Sequence, residues 1–349
     1  MSLIDLIRHG KYRTVSVVGI AKNTGKTTTL NHIIKEAAAK DIDLGLTSIG
    51  RDGEKTDTVT RLPKPPIFAP RGTVVATVED AIRESQAKLE ILEPTGFTTQ
   101  LGRIMVARVR EAGNVVLVGP NHAREMVAAI EQLKYHGADL ILADGAFDRV
   151  AAAAPSVTEA TILATGAFLD PSLDLTVDRT ATTIWQFSLQ RPRDQKLLEV
   201  ARAAIADRDV GLIDEQGVFH DLGMKTALER GDDIREAADA GTRAIVISGS
   251  LVGSVLEDLM QSPALIKKAR IIVRDGTRIF ITPAVWRRFT NMGGQMRVIE
   301  PIHLLALTVN PYSPAGPSYD PQVFLERIGK VAAPLPTFDL VLGRSVNTK

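Results

Sequence analysis

The stretch Gly19-Ile-Ala-Lys-Asn-Thr-Gly25-Lys26-Thr27 decides the fold that we expect for this chain. It ends in G-K-T and has five residues between its glycines, one more than in G-x-x-x-x-G-K-[ST], the pattern of a loop whose backbone N–H groups surround the phosphates of a nucleotide. Glycines permit the backbone angles that a ring of inward-pointing amides requires, and the lysine brings positive charge to the crowded phosphates. The stretch therefore predicts a phosphate-binding loop.

The segments on both sides of this loop have the character that the pattern requires. Residues 15–19 are a short β-branched run that predicts a buried strand, and residues 27–40 carry apolar side chains at helical spacing. A second short strand is expected at 43–47, so the order strand, loop, helix, strand predicts a βαβ unit in a parallel sheet. The helix that opens at Lys26 adds the positive end of its dipole to the loop.

Each position of the loop has an expected task. Lys26 is expected to reach the β- and γ-phosphates, Thr27 to bind Mg²⁺ through its hydroxyl, and Thr28 to contact the α-phosphate. The chain lacks an [NT]-K-x-D sequence that would support guanine recognition, so ATP is the expected nucleotide. The residues predicted to bind it are Gly19, Asn23, Thr24, Gly25, Lys26, Thr27 and Thr28.

Two acidic residues are candidates to complete the site. The apolar run 140–143 ends in Asp144, and an acid at the carboxyl end of a strand beside the loop can hold Mg²⁺ through water, although it could also cap a turn. Asp52 follows the second strand, where it could orient a water or join the Mg²⁺ shell, or serve as an Asp-Gly turn residue. The predicted catalytic residues are Lys26, Asp52 and Asp144, and the predicted metal ligands are Thr27 and Asp144. Lys22, Arg51 and Arg149 are candidate cations for a transition state, although each could instead be a solvated or paired surface charge.

Composition excludes several other kinds of site. The 349 residues include no cysteine, which rules out disulfides, thiolate metal sites and a cysteine nucleophile. Lys and Arg number 42 against 41 Asp and Glu, and a net charge of +1 argues against a surface for nucleic acid. No window approaches the roughly 20 apolar residues of a membrane span, and the first residues do not resemble a secretory signal. We therefore expect a cytoplasmic protein with neither nucleic acid nor membrane as a partner.

The remainder of the chain predicts more α/β structure. Residues 103–110 and 114–118 flank a short turn and predict an inserted β-hairpin. We expect residues 1–170 to form a P-loop NTPase domain with a mainly parallel sheet, and residues 195–349 to form a C-terminal α/β region of unknown role. The sequence leaves open whether that region is a second domain or extends the first sheet.

Several stretches resemble one known family. The run Val17-Val-Gly-Ile-Ala-Lys-Asn-Thr-Gly-Lys-Thr-Thr-Thr-Leu-Asn31 is similar to the P-loop subunit of the lysine 5,6-aminomutase reactivase, as are residues 45–54, 144–149, 154–158 and 309–314. The resemblance implies a protein that works with a second, mismatch-repair-like ATPase subunit. It also implies that the two use ATP to exchange damaged cobalamin on an adenosylcobalamin-dependent aminomutase for intact cofactor. The family's nucleotide residues correspond to Gly19, Gly25, Lys26, Thr27 and Asp144.

Three functions are compatible with these observations. The first is an ATPase that reactivates a partner enzyme. The second is a small-molecule kinase or ATP-dependent ligase, in which the segment 61–120 would shape an acceptor pocket and Asp52, Arg71 and Arg149 would supply charge. The third is a nucleotide-dependent switch or scaffold with little turnover, in which the region near Asp52 would order on triphosphate binding. A homo-oligomer is compatible with all three.

Overall fold

The structure is a computed structural model that describes residues 1–49, 51–52, 66–120, 122–145, 153–314 and 316–348, with the backbone but not the side chains of residues 51 and 52. The chain divides into two compact units. The first unit combines residues 1–180 with residues 303–349, and the second consists of residues 181–302. The helix Leu173–Phe187 carries the chain from the first unit into the second.

The first unit is built from a long run of alternating strands and helices. Its helices are α1 (Leu3–His9), α2 (Lys26–Ala38), α3 (Glu79–Glu84), α4 (Ala123–Tyr135), the start of α5 (Leu173–Phe187) and α11 (Pro321–Ala332). Its strands before α5 are β1 (Thr14–Gly19), β2 (Leu44–Ile49), β3 (Arg51–Asp52), β4 (Ile67–Ala69), β5 (Val74–Val78), β6 (Lys88–Thr99), β7 (Gly102–Glu111), β8 (Gly113–Val115), β9 (Leu117–Val118), β10 (Leu140–Gly145) and β11 (Ala160–Gly166). The last three strands of the chain, β19 (Leu304–Asn310), β20 (Thr337–Asp339) and β21 (Arg344–Val346), also belong to this unit.

A large mixed sheet organises this unit. Among the described residues ten strands join in the order β21-β20-β19-β11-β1-β10-β2-β5-β7-β6. All pairs from β20 to β5 are parallel, and the antiparallel pairs lie at the two ends, where β21 meets β20 and where β7 meets β5 and β6. The fold is therefore α/β with a mainly parallel sheet, as the sequence predicts.

The central strands are buried on both faces, which explains their apolar sequences. Every residue of β1, β2, β10 and β11 is buried. Val15 and Val17 of β1 share one hydrophobic core with Leu30, Ile33 and Ile34 of α2, and with α1. Helices that cover parallel strands leave no face for water, so such strands are apolar throughout rather than alternating.

The inserted hairpin lies elsewhere than predicted. The hairpin partner of β7 is β6, which precedes it, and the two run antiparallel through a turn at residues 100–101. The predicted partner segment 114–118 instead forms β8, which pairs with β4, and β9, which pairs with β3. The prediction of a hairpin between 103–110 and 114–118 is therefore wrong. The turn predicted at residues 111–113 is not formed, since β8 begins two residues after β7 ends.

The second unit has a smaller sheet of its own. Its strands are β12 (Val210–Asp214), β13 (Phe219–Met224), β14 (Thr242–Ile247), β15 (Leu251–Val252), β16 (Arg270–Val273), β17 (Ile279–Phe280) and β18 (Gln295–Val298). Its helices after α5 are α6 (Gln195–Ala206), α7 (Gly231–Ala237), α8 (Gly253–Leu259), α9 (Pro263–Lys268) and α10 (Pro283–Asn291). The sheet order is β13-β12-β14-β16-β18, in which β14, β16 and β18 are parallel.

The division of the chain differs from the predicted domains 1–170 and 195–349. Residues 303–349 return to the first unit, where β19 pairs in parallel with β11. Both alternatives for the C-terminal half therefore hold for different parts of it. Residues 181–302 form a separate unit, and residues 303–349 extend the first sheet. Among the described residues, none of the helices has the length and apolar character needed to cross a membrane.

Candidate functional site

The glycine-rich stretch connects a buried strand to a helix, as predicted. Strand β1 ends at Gly19 and helix α2 begins at Lys26. Asn23 has φ 55° and Gly25 has φ 90°, both in the left-handed region that asparagine and glycine tolerate best. Successive residues of alternating handedness turn their N–H groups toward one concavity, which is the geometry of an anion-binding nest.

Close approaches explain both glycines of the loop. A Cβ at Gly19 would lie 2.6 Å from the Thr24 hydroxyl oxygen, and one at Gly25 would lie 3.0 Å from Cβ of Asn310. Gly25 is also the N-cap of α2 and offers no side chain to the helix, so the first N–H groups of α2 receive no side-chain cap from it. No acidic residue lies in the first turn of α2. This helix terminus therefore keeps its positive character for an anion.

Hydroxyl groups hold the loop in shape from within. The Thr24 hydroxyl donates to the carbonyl of Ala21 at 2.9 Å, and the Thr29 hydroxyl donates to the carbonyl of Gly25 at 3.1 Å. The Thr29 and Thr308 hydroxyl oxygens lie 2.7 Å apart, which connects the helix to β19. These contacts connect residues 21–25 with the first turn of α2 and with β19.

Lys26 and Asp144 meet directly. The Nζ of Lys26 lies 2.7 Å from Oδ1 of Asp144, and the two side chains are 13% and 0% exposed. The sheet produces this pairing because β10 is the direct neighbour of β1, with Asp144 beside Val17 in the register. A buried carboxylate is costly unless a cation compensates it, and Lys26 supplies that cation.

The remaining predicted residues lie in the loop, in the first turn of α2, in the turn before β5 or outside the described part of the chain. Thr27 is buried in the first turn of α2, and Thr28 and Lys22 are half-buried. The side chains of Asp52 and Arg51 lie outside the described residues, as does Arg149, although the backbone of Asp52 pairs with Leu117. Arg71 is exposed in the turn before β5. In the part of the chain that the structure describes, no cluster of three or more His, Cys, Asp or Glu residues could hold a metal.

Asn310 contributes to the site although the loop pattern does not include it. It ends β19, and its side-chain amide donates to the carbonyl of Asn23 at 3.2 Å. The backbone of Asn310 also passes close to Gly166: a Cβ at Gly166 would lie only 2.8 Å from the Asn310 carbonyl oxygen. The sequence could have indicated Asn310 only by its position at the end of a buried strand, because the carboxyl ends of parallel strands lie at one edge of the sheet.

Comparison with known proteins adds no relative to this description. No protein-family model, curated protein or solved structure matches the chain. The residues and their geometry therefore carry the functional conclusion.

Proposed function

We propose that the chain binds ATP with Mg²⁺ in the loop at residues 19–28 and hydrolyses it. The observation that carries the proposal is the contact between Lys26, at the uncapped N-terminus of α2, and the buried Asp144. A triphosphate needs backbone amides, an ammonium group and a cation-holding carboxylate at one place. The contact between the Lys26 ammonium and the Asp144 carboxylate, beside the first N–H groups of α2, supports this proposal.

The ion pair fits a site that exchanges partners on binding. The phosphates of ATP would take the ammonium of Lys26, and the carboxylate of Asp144 would then hold Mg²⁺ through water, together with the hydroxyl of Thr27. Mg²⁺ prefers oxygen ligands, keeps several waters and uses one or two protein groups plus phosphate, so it does not need a dedicated cage. When bound, it would neutralise the charge that develops on the phosphates. Asp52 is our candidate for orienting the attacking water.

The client that we propose follows from the family resemblance. The runs 17–31 and 45–54 resemble the P-loop subunit of the lysine 5,6-aminomutase reactivase. We therefore propose that ATP turnover serves cofactor exchange on an adenosylcobalamin-dependent aminomutase, together with a second ATPase subunit. A pull-down tests this role: the tagged chain, with ATP present, should recover the aminomutase and the second ATPase subunit from an extract of the native host. Failure to recover either one, with ATP or with a non-hydrolysable analogue, would count against it.

Replacing Lys26 tests the nucleotide site. Lys26→Ala removes the ammonium from the phosphates, and a charge-assisted hydrogen bond is worth about 1.5–3 kcal/mol, so the affinity for Mg²⁺-ATP should fall at least about tenfold. Lys35→Ala is the matched control, because Lys35 is an exposed lysine on the same helix. Titration calorimetry measures both variants. Equal ATP affinity in the wild type and in Lys26→Ala would end the assignment.

Replacing Asp144 separates binding from turnover. Asp144→Asn keeps the shape of the side chain but removes the charge that would hold Mg²⁺, so turnover should fall by more than ATP affinity does. Phosphate release and calorimetry measure the two quantities in the same preparation. Equal losses in both would assign Asp144 a structural role instead.

A further inference from the structure

The backbone of Asp52 is held by a short strand outside the large sheet. Strand β3 pairs antiparallel with β9 in a two-stranded sheet, where Arg51 lies opposite Val118 and Asp52 lies opposite Leu117. Leu117 and Val118 are both buried. The position of the Asp52 backbone therefore depends on the groups that fix β9.

One hydroxyl group binds the chain on both sides of Leu117. Oγ1 of Thr77 donates a hydrogen bond to the carbonyl of Val116 at 3.1 Å and accepts one from the backbone N–H of Val118 at 2.8 Å. These two backbone groups flank Leu117, the residue that pairs with Asp52. Thr77 has no exposed surface, so solvent does not compete for either bond.

Thr77 attaches β9 to the large sheet beside the strands of the proposed site. It lies on β5, the parallel neighbour of β2, and the register of that pair places Thr77 beside Ser48. Ser48 in turn lies opposite Asp144 on β10. The chain after β9 passes directly over β2, because a Cβ at Gly119 would collide with the backbone carbonyl of Ser48. Neighbouring strands thus support both acids of the proposed site, Asp52 and Asp144.

The task that we assign to Asp52 requires an accurate position. A group that orients a reacting water acts only within hydrogen-bond reach of it, about 2.6–3.2 Å. A displacement of about 1 Å can cost about a hundredfold in rate. A hydroxyl that fixes the partner strand of Asp52 should therefore affect turnover, although it lies on another strand.

We infer that Thr77 is a positioning residue for ATP hydrolysis: its hydroxyl fixes β9 and, through β9, the backbone of Asp52. The inference rests on the proposed function, because Asp52 is the residue that we assign to the attacking water. Thr77 has no part in holding the phosphates or Mg²⁺ in that assignment. Its hydroxyl should therefore matter for turnover and not for ATP affinity.

Substitutions of Thr77 separate its hydroxyl from its shape. Thr77→Val keeps the branched side chain but loses the hydroxyl, so kcat should fall about tenfold while the Kd for Mg²⁺-ATP changes by less than about twofold. Thr77→Ser keeps the hydroxyl and should retain kcat within about twofold of the wild type. Thr77→Cys repeats the first test with a weak donor in place of the hydroxyl. Phosphate release measures kcat, titration calorimetry measures Kd, and thermal melts establish that each variant is folded.

Thr95→Val is the matched control. Oγ1 of Thr95 also donates to a carbonyl, that of Ile104 at 2.8 Å, and accepts from a backbone N–H, that of Phe97 at 3.3 Å. Thr95 is buried as well, but it lies on the edge strand β6. Loss of the same pair of bonds at this place should leave kcat within about twofold of the wild type.

A double variant tests whether Thr77 acts through Asp52. Asp52→Ala should lower kcat, and Thr77→Val added to it should lower kcat no further, because the residue that Thr77 positions is already absent. Losses that multiply in the double variant overturn the inference, since Thr77 would then affect turnover by another route. Unchanged kcat in Asp52→Ala overturns it too.

The remaining outcomes separate this inference from the proposed function. Unchanged kcat in Thr77→Val and Thr77→Cys, or equal losses in Thr77→Val and Thr77→Ser, overturns the role of the hydroxyl while the ATP site stands. A wild-type chain that neither binds nor hydrolyses Mg²⁺-ATP overturns both. Loss of kcat in Thr77→Val, with Kd and the Thr95→Val control unchanged and no further loss in the double variant, supports the inference.

Discussion

At the scale of single residues, the contact between Lys26 and Asp144 has consequences that do not depend on a ligand. Asp144 has no exposed surface, and Lys26 places an ammonium 2.7 Å from its carboxylate. Removing one partner of a buried pair leaves the other charge uncompensated, whereas removing both charges is often nearly neutral. The pair therefore predicts strong coupling between two substitutions.

We expect Lys26→Ala to lower the free energy of unfolding by about 2 kcal/mol at neutral pH, because the buried carboxylate loses its contact with the ammonium of Lys26. Asp144→Asn added to Lys26→Ala should recover most of that loss, since the neutral amide needs no cation. Denaturant titration of the wild type, both single variants and the double variant, all without nucleotide, measures the coupling. Strictly additive effects would show that the two side chains act independently.

The same scale shows how far the sequence determined the candidate site. The Gly25-Lys26-Thr27 ending and the apolar segments on both sides were sufficient to predict the loop between a strand and a helix, because those features are local. Asn310 donates to the carbonyl of Asn23 from the far end of the chain, and local spacing carries no information about such a contact. Only the sheet order, in which β11 lies between β1 and β19, brings the two residues within reach.

At the scale of elements, helix α1 is attached to α2 by a titratable contact. Oε2 of Glu36 accepts a hydrogen bond from the backbone N–H of Ile4 at 3.0 Å, and its Oε1 lies 3.3 Å from Nε2 of His32. Burial raises the pKa of Glu36, but the hydrogen bonds from His32 and from the Ile4 N–H outweigh burial and leave the pKa below its usual value. The ionised carboxylate therefore stabilises the folded state.

The sign of this pKa change fixes the pH dependence. Since the folded pKa of Glu36 is the lower one, its contribution is complete above the unfolded pKa and disappears as the pH falls through the folded pKa. Glu36→Gln should thus lower the free energy of unfolding by about 1 kcal/mol at pH 7, and the difference from the wild type should shrink below about pH 4. Denaturant titrations of the wild type and the variant between pH 7 and about pH 3 measure this difference in the free energy of unfolding.

Glu131→Gln provides the control for this measurement. Glu131 also pairs with a cation on a helix, but its side chain is 62% exposed, so its contribution should be small at every pH. A Glu36→Gln variant whose difference from the wild type does not depend on pH would contradict the role of the carboxylate at α1.

The hairpin shows why one element could not be predicted. Strand β6 lies at the edge of the sheet, most of its residues are exposed or half-buried, and its pairing with β7 is irregular near Pro94. Edge strands of this kind lack the apolar run and the regular alternation that reveal buried strands. The segment 114–118 has the apolar character, because β8 and β9 pair with β4 and β3. The apolar residues of segment 114–118 therefore predicted strands, but they could not predict which strands these pair with.

At the scale of the whole molecule, the chain leaves the first unit and comes back to it. Local patterns predicted that residues 195–349 have α/β structure, but they could not show that β19 returns to the far side of β11. A separate unit and an extension of the first sheet would show the same spacing of apolar residues along the sequence. The pairing partner of a strand is a property of the assembled sheet, so it had to be read from the structure.

This topology predicts that the last segment is required by the first unit and dispensable for the second. A chain that ends at Ile302 lacks β19 and α11, whose buried Leu307, Phe324, Leu325 and Ile328 contribute about 1.5–3 kcal/mol each. Their sum is comparable with the usual net stability of about 5–15 kcal/mol. Removal of β19 would also leave β11 without its neighbour on that side of the sheet. The first unit of that chain should therefore fail to fold, whereas residues 181–302 keep their own core.

The aromatic residues of the chain report on the two units separately. Both tryptophans, Trp185 and Trp286, lie in the second unit, and all four tyrosines lie in the first. The chain ending at Ile302 keeps Tyr12 and Tyr135, and of these Tyr12 packs against the core of the first unit. In that chain the cooperative tryptophan fluorescence transition should survive while the near-ultraviolet signal of Tyr12 is lost. A chain ending at Gly343 is the control, because it loses only the mostly exposed edge strand β21 and the three residues after it, and it should keep both signals. Loss of the tryptophan transition in the shorter chain would show that the second unit cannot fold without the completed sheet of the first.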